Sequence, residues 1–119
     1  MAAVYTQAGE ELICDFIDGT ASPGTHHIGS GTGAGSFVKG TTTLFTEVSE
    51  ARVAVTKSQP AVDKNRWVAT QTYTGSKTIT NCGVFSASSG GTLFVGGDGL
   101  SIAVANGDAI EFTIDLEQT

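Results

Sequence analysis

Positive charge is scarce in this sequence. Six Lys and Arg stand against twelve Asp and Glu, a formal net charge of -6. A surface that neutralises phosphates or lies on anionic lipid needs the opposite balance, so neither nucleic acid nor a membrane is expected as a partner. Long hydrophobic runs are absent as well: the apolar stretches are a few residues long, against the roughly 20 that span a bilayer. The start, Met1-Ala-Ala-Val-Tyr5, has neither the basic nor the apolar region of a secretory signal, which leads us to expect a soluble chain made in the cytoplasm.

Cysteine is nearly missing. Cys14 and Cys82 are isolated and far apart, so neither belongs to a C-x-x-C metal or redox motif. Both fall in expected strands and are read as buried thiols acting as small hydrophobes. A mutual disulfide is the alternative, and it requires an oxidising compartment and close Cβ atoms. Charged residues make up only 15% of the chain and Trp and Met occur once each. The long straight side chains that cover helix surfaces are thus few, which argues against a helical protein.

What is present is Thr, Val, Ile and 16 glycines in 119 residues, a mixture suited to strands and tight turns and a length suited to one domain with its own core. At the C-terminus Ile110, Phe112, Ile114 and Leu116 alternate with Glu111, Thr113, Asp115 and Glu117, the period-two pattern of a half-exposed strand. The turn Asn106-Gly107-Asp108 joins it to Leu100, Ile102 and Val104, which predicts a β-hairpin. Further strands are expected at Glu11 to Ile17, Arg52 to Thr56, Arg66 to Thr74, Lys77 to Thr80, Cys82 to Phe85 and Thr92 to Val95. The run at Arg52 ends at Ser58-Gln59-Pro60, because proline lacks a ladder donor. Thr41 to Glu47 is read as one short helical turn. The sum is an all-β fold of about eight short antiparallel strands, the pattern of a β-sandwich, jelly roll or small barrel. Residues 1–119 form one domain with an N-terminal arm at 1–10 and a long glycine-rich loop at 18–40, the kind of segment where binding concentrates.

Each motif with possible chemistry meets a contextual objection. Gly29-Ser-Gly-Thr-Gly-Ala-Gly35 contains a G-x-G-x-x-A match, but no β-α-β unit surrounds it and no Walker Lys follows. His26 and His27 are neighbours on an extended piece, so they face opposite ways and cannot share one metal in regular geometry. There is no G-x-S-x-G elbow to support a serine nucleophile. Asp115 and Glu117 share the solvent face of a strand and read as a charged edge rather than as an acid/base pair. Asp98 and Asp108 lie in glycine turns, where Asp satisfies local backbone donors. Glu47, Glu50 and Arg52 offer a bidentate ion pair or a weak surface bridge. No catalytic residue, metal or cofactor is expected, and the chain is not read as an enzyme.

A resemblance runs through Gly31-Thr-Gly-Ala-Gly35, Lys39-Gly40-Thr-Thr-Thr-Leu-Phe-Thr-Glu47, Ala51-Arg52-Val53 and Lys77-Thr-Ile-Thr-Asn-Cys-Gly-Val-Phe85. It continues in Gly90-Gly91-Thr92-Leu93-Phe94 and Gly107-Asp-Ala-Ile-Glu-Phe112. In this order of strand and turn signatures the chain resembles the capsid decoration, or cement, proteins of tailed bacteriophages. The resemblance implies a jelly-roll-like β-sandwich and a virion protein on the outer surface of the capsid, bound to the major capsid protein. It would be a symmetric homo-oligomer, a trimer in preference to a dimer, that strengthens the shell. The contacting parts would be the 18–40 loop and the Ala2 to Gln7 arm, and the residues assigned to interfaces are Ala2, Val4, Tyr5, His26, His27, Phe37, Arg52, Trp67 and Tyr73. The alternative reading is a carbohydrate- or receptor-binding module of a tail tip or fibre, with Trp67 and Tyr73 stacking on sugar rings.

Overall fold

The structure is a computed structural model that describes residues 3–118. Two short stretches precede the main sheets: β1 (Val4–Tyr5) and α1 (Gln7–Asp18). The strands that follow are β2 (His27–Gly31), β3 (Val53–Ala54), β4 (Thr56–Ala61), β5 (Lys64–Thr72), β6 (Lys77–Ile79), β7 (Asn81–Phe85), β8 (Leu93–Gly97), β9 (Ile102–Val104) and β10 (Ala109–Glu117). They form a five-stranded sheet in the order β1-β8-β7-β2-β3, a three-stranded sheet β10-β5-β4 and a two-stranded pair β6-β9. All pairings are antiparallel. The all-β, antiparallel expectation is met, with ten short strands among the described residues rather than about eight. The helix is not long and apolar enough to cross a membrane.

The two larger sheets enclose one core. Ile28, Val84, Phe94 and Val95 come from the first, Trp67, Ala69, Phe112, Ile114 and Leu116 from the second, and all are buried. Inside this apolar layer sits a small polar knot. Ser30 on β2 donates to Gln71 Oε1 on β5 at 2.5 Å, and Tyr73 Oη lies 2.7 Å from Ser30 Oγ and 3.0 Å from Gln71 Oε1. The Gln71 amide is completed by donation to the Ala51 carbonyl at 3.1 Å. All three side chains are at most 1% exposed, so each polar atom depends on the others for the hydrogen bonds that water would otherwise supply.

Four expectations are corrected. Glu11 to Ile17 is helical, because Leu12, Ile13 and Phe16 share one half-buried face and both ends are capped. Thr6 Oγ1 accepts from the Gly9 amide at 3.0 Å, and Gly19 closes the helix at φ 82° with its N–H directed at the Phe16 carbonyl. Gly9 lies so close to Phe94 that a Cβ there would collide with its backbone. This approach seats the helix on β8. The arm at 1–10 is therefore partly built into the fold, with Val4 opposite Gly96 and Tyr5 opposite Val95.

The predicted hairpin does not form: β9 pairs with β6, and β10 pairs with β5 over its whole length. The turn is present, with Gly107 at φ 90°, but it leads from β9 in one sheet to β10 in another, and its amide bonds to the Tyr73 carbonyl at 2.8 Å, just beyond the β5–β10 ladder. Pro60 does not end β4. It is accommodated on an edge strand at a register shift between Ser58 and Ala61. Thr41 to Glu47 is not a helical turn but an irregular strap, bent at Thr43, Phe45 and Thr46, laid over the glycine run. Gly33 N–H meets the Phe45 carbonyl at 2.9 Å and Thr32 N–H the Thr46 carbonyl at 3.0 Å, while the Asn81 side chain brackets Phe45 through its N–H and C=O, both at 3.1 Å. A Cβ on Gly31 would fall on that same Phe45 carbonyl.

The polar knot makes a specific stability claim. Gln71→Leu strips partners from two buried hydroxyls and a backbone carbonyl, and we expect it to destabilise the protein by about 3 kcal/mol. Exposed Thr70→Ala on the same strand should change stability by less than about 0.5 kcal/mol. Urea unfolding followed by Trp67 fluorescence measures both, and equal effects would sink the claim.

Candidate functional site

The residues assigned to interfaces separate by burial. Ala2 lies outside the described residues. Val4 and Tyr5 are half-buried in β1, and His27 and Arg52 are half-buried. His26, Phe37, Trp67 and Tyr73 are 5%, 8%, 5% and 0% exposed. As surface contacts these four are corrected: they fill the core. Trp67 and Tyr73, 5% and 0% exposed, do not stand on the outer surface as a platform on which sugar rings could stack.

Arg52 holds the fold together locally. It forks onto Glu47 through Nε (2.8 Å) and Nη2 (3.0 Å), donates from Nη1 to the carbonyls of Ala87 and Gly90, and lies 3.4 Å above the Phe85 ring. With four donor bonds made and its side chain 10% exposed, it ties the strap to the 86–91 turn. Glu50 does similar work. It grips Lys77 Nζ through both oxygens, at 2.7 and 2.6 Å, and accepts from Thr74 N–H at 3.0 Å. The Lys77 hydrogen bond above all holds its carboxyl down at about 2.

The remaining carboxylates of the sequence reading are also accounted for. Asp115 is paired across the sheet with Arg66 at 2.7 and 2.9 Å, and Glu117 lies 3.9 Å from Lys64. Asp108 accepts from Ala105 N–H at 2.8 Å, whereas Asp98 caps the distant amide of Phe37. Cys82 is buried in β7, where desolvation pushes its thiol up to about 12. Cys14 is exposed on the helix rather than buried in a strand, and the two are separate thiols. Among the described residues no group of three or more His, Cys, Asp or Glu is placed to hold a metal ion.

One concave feature gathers side chains from every layer. Between α1, the loop before β2, and strands β4, β5, β8 and β10 lies a cavity of about 280 Å³. Its walls are apolar, with Phe16 from the helix, Trp67 and Phe94 from the two sheets, and Leu116. His26 stands among these rings, edge-on to Phe94 at 4.9 Å and stacked with Phe16 at 6.2 Å between centroids. Its Nδ1 accepts the Trp67 indole N–H at 3.0 Å. Because an indole nitrogen only donates, this bond places the imidazole proton on Nε2. Nε2 is buried and has no partner in hydrogen-bond geometry among the described residues. Desolvation, reinforced by the charge of Lys57, lowers the His26 pKa to about 4, with the Pro23 backbone acting in the other direction.

The other opening of interest is the β4 edge. All six residues of Thr56–Ala61 are exposed, and β4 ends its sheet with one side unpaired. Val62 at the tip of the β4–β5 hairpin is 95% exposed, and Ile17 and Val38 are exposed at 83% and 60%. These residues were missed from sequence. The one signal for Val62 was its place beside Pro60 and Asp63, in a turn where an aliphatic side chain has no core to enter.

Fold and geometry together define an antiparallel β protein with one capped helix, a core-lined cavity and a projecting hairpin. No protein-family model matches the chain, and searches of curated proteins and of solved structures found no match.

His26, Glu50 and Asp115, the last held below its usual range by its Arg66 hydrogen bond, shape the acid limb of stability. His26 is held neutral, so as pH falls from 6.5 towards 4 the unfolded chain takes up a proton that the folded one refuses. Stability drops over that window by up to about 3 kcal/mol. Glu50 behaves as a depressed carboxylate: its contribution is complete above 4.5 and is lost as pH falls towards 2. Thermal melts from pH 8 to 3 should therefore show two successive declines. His26→Phe should flatten the upper one and Glu50→Gln the lower.

Proposed function

We propose that this chain is a structural virion protein that decorates the outside of a bacteriophage capsid and stabilises the shell. Binding to the major capsid protein, self-association as a trimer and a jelly-roll-like arrangement belong to the same reading. The observation that supports it best is the β4–β5 hairpin. An edge strand exposed along its whole length, ending in Val62 at 95% exposure, offers backbone donors and acceptors together with an apolar tip to a neighbouring chain. The molecule is elongated, 43 × 26 × 25 Å, which leaves room for separate contacts at its two ends. Cementing requires no chemistry. It needs a modest interface repeated many times, since avidity over a lattice multiplies weak single contacts.

Purified protein added to capsids stripped of it should bind over the whole head and raise the temperature at which the shells rupture. Val62→Asp should weaken that binding roughly tenfold while leaving the melting temperature of the isolated protein unchanged. Label confined to a tail tip, or shells whose heat resistance is the same with and without the protein, would overturn the proposal.

A further inference from the structure

We propose that the cavity between α1 and the two larger sheets is a binding site for a small amphipathic carboxylate, one with a single aromatic ring or short alkyl chain. Its body would lie among Phe16, Trp67 and Phe94, an oxygen would accept the His26 Nε2–H, and its negative charge would face Lys57.

Three features of the cavity argue for this ligand class. The first is the unsatisfied donor. His26 is 5% exposed, its Nδ1 is committed to Trp67, and its Nε2–H has no partner in hydrogen-bond geometry among the described residues. A buried N–H of this kind lacks the hydrogen bond that stabilises such groups, and an acceptor arriving in the cavity would restore it.

The second is charge. The protein is acidic overall, yet two of its six basic residues, Lys57 and Arg66, line this cavity and none of its twelve acidic residues does. Arg66 is already neutralised by Asp115. Lys57 Nζ rests on the Gly24 carbonyl and has no carboxylate within ion-pair distance among the described residues, so it carries the surplus charge. Lys57 stands opposite Trp67 in the β4–β5 register, which places it beside the aromatic wall.

The third is size and lining. At about 280 Å³ the cavity falls at the lower limit of small-molecule sites, roughly 300–1,000 Å³, and its apolar walls with a few convergent polar groups have the usual make-up of such sites. The volume suits one ring or a short chain and excludes an oligosaccharide. The site shares Lys57 and Ser58 with the β4 edge, but its occupant does not depend on the capsid reading.

Trp67 is the only tryptophan, and its indole N–H bonds to His26, so the reporter is built into the site. Titration of the full chain at pH 7.5 with 3-phenylpropionate, followed by Trp67 emission and by the indole N–H resonance, should give a saturable response. The neutral analogue 3-phenylpropanamide should bind roughly fivefold more weakly, and Lys57→Ala should weaken phenylpropionate binding by a similar factor. Ile13→Phe adds bulk to a cavity wall and should abolish the response, with an unchanged far-ultraviolet circular dichroism spectrum confirming the fold. Lys57 is exposed on an edge strand, so its variant should fold whatever Ile13→Phe does. A response that is linear to high concentration, an amide that binds as tightly as the acid, or affinity unaffected by Lys57→Ala would each overturn the proposal.

Discussion

The Ser30–Gln71–Tyr73 knot is the constraint on which the rest of the structure rests. Together with the Trp67–His26 bond, it joins the two larger sheets by hydrogen bonds as well as by apolar contact. Apolar packing is tolerant of small shifts, but a set of buried donors and acceptors is satisfied in one register only. By locking β2 to β5, the knot also places Trp67, four residues before Gln71, against Phe94 and His26. The cavity inherits its shape from that placement. Gln71 reaches onward to the Ala51 carbonyl, and the segment that follows carries Arg52, so strap, turn and sheets become one connected unit.

The glycines act through what they omit. In β2 and the residues after it, the missing side chains let the 45–47 strap lie directly on the sheet, where Phe45 packs across Gly35 and its carbonyl sits over Gly31. Gly9 does the same for the helix against Phe94. A segment that reads as a flexible loop is instead among the most closely approached parts of the molecule, its strand residues Ile28 to Gly31 all buried.

Charge is distributed with the same economy. The half-buried acids Glu50 and Asp115 are each matched to a base, so the net negative charge is spread over the exposed surface. The cavity rim keeps Lys57 without an acidic partner. That contrast distinguishes a general surface property, which serves solubility, from a local field with a particular direction.

How much was legible in the sequence depended on the range of the interaction. Period-two alternation at Ile110 to Leu116, and the turn chemistry of Asn106-Gly107-Asp108, are local signals, and they identified strand and turn correctly. The helix was legible in principle, from Thr6 and Gly19 as caps and the spacing of Leu12, Ile13 and Phe16, but its apolar content also suits a strand. Partner choice was not legible. Nothing near Ile102 says that β9 pairs with β6 instead of β10, because backbone hydrogen bonds carry no label and the outcome is set by how whole sheets cover the core. Nor could the sequence say whether Trp67 and Tyr73 face a partner or the interior. Alternation assigns them to one side of a strand, but only the opposing sheet, the helix held down at Gly9 and the polar knot make that side the inside. Sequence determined the class of structure through local geometry. Tertiary structure decided which residues are surface, core or cavity, since burial depends on elements distant in the chain.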